Sequence, residues 1–156
     1  MSSTCHSVRI RPDAGCEFPA ELLLSEEINA FANFGGARSI AVTTSLIREV
    51  PDDSVLAMLV GHELAHHILK SNRTRESRVR EESRADYVGI YLAAMAGFPL
   101  SQDAADVYLV LQSDLYRFAK RSGTHPMMPA RSLAFRKTLE EIEKRKRDGV
   151  PLRPGD

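Results

Sequence analysis

His62 and His66 stand four residues apart in the stretch VGHELAHHIL, Val60 to Leu69, and Glu63 directly follows the first of them. Four residues make just over one turn of α-helix. Both imidazoles then project from one face, close enough for a single metal ion to take a nitrogen from each. Glu63 projects beside that pair, where a carboxylate can act as a general base. This is the HExxH arrangement, in which two histidines hold zinc and a glutamate works on water. His67 lies about 100° further around the helix than His66. It cannot share their face, and a packing role and a substrate contact both fit it.

A hydrolytic zinc centre takes three protein ligands and keeps a fourth position open. The sequence EESRADYVG, residues 81–89, offers the third. If the histidine helix turns back at residues 71–74 into an antiparallel partner, Glu82 comes level with His66. Asp86, one turn on, comes level with His62 on the same face. Glu82 is then the third ligand. Asp86 is placed to accept the free N–H of a ligating histidine and so to fix its tautomer. Glu81 lies about 100° off that face and reads as solvated.

These residues need two helices joined by a short turn, and the chain supplies them. Asp52 or Asp53 can cap a helix running from Pro51 to about Lys70. A second helix runs from about Arg75 to Ala96 and stops at Gly97-Phe98-Pro99. A third, capped by Ser101, reaches about Lys120, and a fourth spans about Ala130 to Asp148. The first third of the chain reads as β. HSVRI is a short strand, ELLL and INAFA flank a tight connection at Ser25-Glu26-Glu27, and RSIAVTT follows Gly35-Gly36 as a further strand. The expected fold is α+β: a small N-terminal antiparallel sheet packed on a mainly helical body. The 156 residues suit one domain, with 1–19 as an extension and 149–156 as a tail.

Composition narrows the function classes. Hydrophobic residues make up 43% and charged ones 27%, an ordinary globular balance. The 21 basic and 21 acidic residues cancel, which argues against nucleic acid as a partner. No apolar run is long enough to span a bilayer, and the N-terminal residues carry no apolar signal core. Cytoplasmic residence and origin in a longer exported protein both fit. Cys5 and Cys16 have no CxxC spacing; one bridge between them or two separate thiols would fit equally.

Four ordered segments carry a resemblance: NAFANFGGARSIAVTTSLI, LVGHELAHHIL, EESRADYVGIYLAAMAGF and THPMMPAR. Together they resemble the HtpX / CAAX-prenyl-protease family of zinc metallopeptidases, within the gluzincins, from Cys16 to about Arg136. The resemblance implies a zincin-like domain and a soluble bacterial member of the cell envelope or periplasm. It implies one zinc ion per chain, held by His62, His66 and Glu82, with Glu63 as general base. His125 would lie near the metal as a donor to the developing oxyanion. Arg131 would anchor its loop or the acidic group behind the ligands. The span between His66 and Glu82 is shorter than in many members of that family, and the membrane helices of its integral members are missing.

The reaction expected is hydrolysis of a protein or peptide substrate. The strand holding Ile40, Ala41 and Val42 is expected to present an edge on which an extended peptide can pair. Two other classes compete: a catalytically latent, chaperone-like or binding module on the same fold, and a helical interaction protein with an accidental HExxH. The sequence leaves substrate identity and oligomeric state open.

Overall fold

Asp52 starts the helix on which the site depends. Its Oδ1 accepts from the backbone N–H groups of Ser54 and Val55 at 2.8 and 3.1 Å, satisfying two donors that the first turn leaves without partners. The computed structural model describes residues 18–32, 39–69, 75–118 and 129–155, with side chains left out at 75–79 and 113–118. In chain order it has strands β1 (Ala20–Leu23), β2 (Ala30–Ala32) and β3 (Ile40–Thr43). Helices α1 (Thr44–Glu49), α2 (Asp53–Ile68), α3 (Arg75–Met95), α4 (Gln102–Phe118) and α5 (Pro129–Arg147) follow. The expected HSVRI strand, both cysteines and Gly35-Gly36 lie outside the described residues.

The sheet differs from the expected one in two respects. Its order is β1-β3-β2, and it is mixed, not antiparallel. β1 runs parallel to β3, with Ala20 opposite Ile40 and Leu23 opposite Thr43. β2 runs antiparallel to β3, with Ala30 opposite Val42 and Ala32 opposite Ile40. ELLL and INAFA are therefore not hairpin partners. The chain between them must cross two strand spacings, about 10 Å, which a tight turn cannot do. Residues 24–29 make that crossing and are tied down midway, where Thr44 Oγ1 and Ser45 Oγ donate to the Ser25 carbonyl at 3.1 and 2.8 Å.

Burial explains which strand lies in the middle. Every residue of β3 is buried, whereas Leu22 in β1 is 66% exposed. A strand covered on both faces can sit centrally, and one facing water belongs at an edge. The expectation that Ile40, Ala41 and Val42 present an edge to substrate is thereby corrected: both hydrogen-bonding sides of β3 are already occupied.

β3 passes straight into α1, which the sequence did not suggest. Thr43 ends the strand and also caps the helix, its hydroxyl accepting from Leu46 N–H at 3.2 Å. The later helices fall where their caps place them. Ser101 Oγ accepts from Ala104 N–H at 3.0 Å. α3 and α5 end in turns with left-handed glycines, Gly97 (φ 91°) and Gly149 (φ 65°), each followed by a bond back to the helix. Tyr91, Met58, Leu59, Ile90, Phe135 and Ile142 form the centre of the core. Among the described residues no helix is long and apolar enough to cross a membrane.

α2 and α3 share the most extensive helix contact, and it closes at a glycine pair. A Cβ at Gly61 would stand 2.5 Å from the Gly89 carbonyl oxygen, and one at Gly89 would stand 2.6 Å from the His62 nitrogen. Backbone meets backbone here, so no side chain can swing aside. Gly61→Ala would gain about 1 kcal/mol of helix propensity but must push the helices apart. Overpacking of that kind costs about 1–3 kcal/mol, and with no flexible atom to yield the steric effect wins. The expected outcome is a lower urea midpoint for Gly61→Ala, with Gly97→Ala as a comparison for backbone strain alone.

Candidate metal centre

The crossing at Gly61 and Gly89 sets α2 and α3 antiparallel and close, and the polar residues within two turns of it on each helix meet. His62 Nε2 is 3.1 Å from His66 Nε2 and 3.3 Å from Glu82 Oε2, and His66 Nε2 is 3.5 Å from Glu82 Oε1. These three side chains can hold a metal ion. His62 and Glu82 are buried, and the His66 side chain is 23% exposed, so the cluster reaches solvent on the His66 side. Glu63 is buried as well, and its charge acts on His62.

Asp86 lies behind His62. Its Oδ1 is 2.9 Å from His62 Nδ1, 2.8 Å from Arg131 Nη2 and 2.6 Å from the Tyr108 hydroxyl, all three directed at it as donors. Arg131 Nε donates to Asp86 Oδ2, and Arg131 Nη2 also lies 3.5 Å from Glu82 Oε2. Arg131 thus spans both carboxylates from α5 and is itself 2% exposed. With Nδ1 of His62 donating to Asp86, Nε2 is the nitrogen that faces His66 and Glu82.

Tyr108 and Gln112, on α4, were not anticipated from the sequence. Gln112 Nε2 donates to the Tyr108 hydroxyl at 3.2 Å, and both side chains are buried. The available signal was a glutamine one turn from a tyrosine in an otherwise apolar helix stretch. That pattern does not by itself name a partner. Burial and the Asp86 charge push the Tyr108 hydroxyl well above its ordinary pKa, so it remains a donor.

His67 has a packing role. Its Nε2 donates to the Ser39 carbonyl at 2.9 Å, and its ring lies 5.1 Å from that of Phe18. It ties α2 to the start of β3. His125 lies outside the described residues.

The charges around His62 determine what it holds. Burial opposes a charged ring, but hydrogen bonds to Asp86 and Glu82, with the charges of Asp86 and Glu63, outweigh it and push the imidazole up to about 10. Burial would likewise raise the Asp86 carboxyl, yet His62 and Arg131 hold it down to about 2. A metal ion at Nε2 requires the neutral ring. Proton and metal therefore compete for His62 below about pH 10. Rising pH disfavours the proton, so metal affinity should increase about tenfold for each unit that pH rises through neutrality, one proton leaving per ion bound. Competition titrations against a chelating dye at several pH values measure that slope, and a flat profile would contradict it.

With this geometry in place, comparison with known proteins adds one finding. The model of peptidase family M48 matches residues 8–80. The matched span contains the sheet, α1, α2 and the first residues of α3, with His62, Glu63 and His66 inside it and Glu82 and Asp86 just beyond. No curated protein gives a match. The similarity supports metallopeptidase function in broad terms. The geometry independently extends the histidine pair to Glu82, outside the matched span.

Proposed function

We propose that the protein is a zinc-dependent metalloendopeptidase, with His62, His66 and Glu82 as the zinc ligands and Glu63 as the general base. The observation that carries this reading is the spacing of the ligand atoms. In a tetrahedral zinc site with bonds of about 2.0–2.1 Å, ligand atoms lie about 3.3–3.4 Å apart. The His62 and His66 Nε2 atoms are 3.1 Å apart, and the Glu82 carboxylate faces each of them with a different oxygen, Oε2 3.3 Å from His62 and Oε1 3.5 Å from His66. Two imidazoles and one carboxylate also make a donor set of catalytic zinc, whereas calcium and magnesium take oxygen ligands.

Zinc bound there supplies Lewis acidity, lowering the pKa of water towards about 7 and polarising a scissile carbonyl. The chain's own residues do the rest. Asp86 fixes His62 so that Nε2 faces the cluster, and Arg131 holds Asp86 as a carboxylate while lying beside Glu82. The Glu63 carboxylate takes a proton from the attacking water and returns it to the leaving amine nitrogen. The partial exposure of His66 gives peptide substrate its approach. The segments quoted above favour the HtpX / CAAX-prenyl-protease type within the peptidases.

The test combines metal analysis with proteolysis. Purified protein should carry about one zinc per chain. Dipicolinate should remove the metal and casein cleavage together, and added zinc should restore both. Protein that neither carries nor takes up zinc would overturn the metallopeptidase reading. Protein that binds zinc but cleaves nothing would reduce it to a metal-binding module.

A further inference from the structure

Asp86 is held from two sides, by Arg131 on α5 and by Tyr108 on α4. The Tyr108 side has an ordered direction. The Gln112 amide nitrogen carries only donors, so its approach occupies a lone pair on the Tyr108 oxygen. The Tyr108 proton is left for Asp86 Oδ1, 2.6 Å away. The ring is placed separately, by stacking on Phe135 with centroids 4.5 Å and planes 19° apart. Packing therefore fixes where the hydroxyl is, and Gln112 fixes which way it donates.

The same Asp86 oxygen faces His62 Nδ1 at 2.9 Å. A carboxylate oxygen met by three donors from three helices cannot turn without breaking one of them. Remove the Tyr108 hydroxyl, and the carboxylate is free to settle towards the guanidinium, which carries full charge, at the expense of the His62 bond.

We propose that Tyr108, directed by Gln112, is a positioning residue for the metal centre: its hydroxyl fixes the Asp86 carboxylate and, through it, the tautomer and aim of His62. This rests on the reading that the cluster holds a metal ion. α4 contributes none of the three candidate ligands, yet on this account it governs how well they bind.

Cobalt(II) titration tests the proposal, because its visible bands report ligand geometry directly. Wild type, Tyr108→Phe and Gln112→Leu would be compared for cobalt spectrum, cobalt affinity and urea midpoint. Tyr108→Phe keeps the ring stack and loses only the hydroxyl. Its affinity should fall by about tenfold, the lower end of the range for an outer partner of a ligating histidine, and its bands should shift. Gln112→Leu leaves the hydroxyl in place but undirected, and should move both readouts the same way by less. Unchanged bands and affinity in both variants, even with lowered urea midpoints, would overturn the proposal and leave the metal reading standing. A wild type that binds no cobalt would overturn both.

Discussion

Glu63→Gln is expected to leave metal binding near wild type and to lower peptide hydrolysis by about 100- to 10,000-fold, the range a positioned general base contributes. The substitution is nearly isosteric. Glu63 is 5% exposed, so a change of volume there would be felt by the packing, and glutamine avoids one. What disappears is the basic oxygen. In barrier terms the loss is about 3–5 kcal/mol. The metal side should change little, since Glu63 acts on His62 through its charge, with less effect than the hydrogen bonds to Asp86 and Glu82. Zinc stoichiometry and casein cleavage, measured on the same preparation, separate the two effects. Equal cleavage by wild type and variant would remove the enzymatic claim and leave a metal-binding module. Loss of zinc together with activity would mean that Glu63 works through the site's integrity and not as a base.

The parts of the site that the sequence revealed are those governed by helical spacing. His62 and His66 share a face because four residues make one turn, and that holds in almost any helix. Glu82 and Asp86 were legible for a related reason: with only six residues between α2 and α3, two antiparallel helices have little freedom in how they align. The structure brings these side chains together with Arg131, whose place came only from the family resemblance. Strand order was not legible, because it depends on pairing between distant segments. ELLL is apolar enough to suit a core position, yet Leu22 and Leu24 are 66% and 88% exposed. The reading of β3 as an edge failed for the same reason. Nothing within IAVT says how many neighbours it has. Tyr108 and Gln112 look like ordinary helix residues until Asp86, 22 positions earlier, is placed opposite them. His67 was ambiguous because its partner, the Ser39 carbonyl, is a main-chain atom that no side-chain pattern announces.

Asp86→Ala should damage both folding and metal binding, and the two losses can be taken apart. The alanine takes from the buried Arg131 guanidinium the carboxylate bonded by its Nε and Nη2, and leaves Glu82 3.5 Å away. It also leaves His62 Nδ1 and the Tyr108 hydroxyl without their acceptor. Removing one member of a buried ion pair typically costs about 3–5 kcal/mol, a large share of the stability of a domain this size, about 5–15 kcal/mol. Metal affinity should fall by about 10- to 100-fold as the histidine loses its orientation. Pairing the substitution with Arg131→Met separates the causes. With the buried guanidinium removed as well, the urea midpoint of metal-free protein should recover much of its loss, because a buried pair contributes little beyond a well-packed apolar replacement. Zinc affinity should stay low, since nothing restores the acceptor at Nδ1. If the double variant instead recovered both, the stability cost alone would account for the single one. Asp86 would then be a counter-ion for Arg131 with no part in aiming His62.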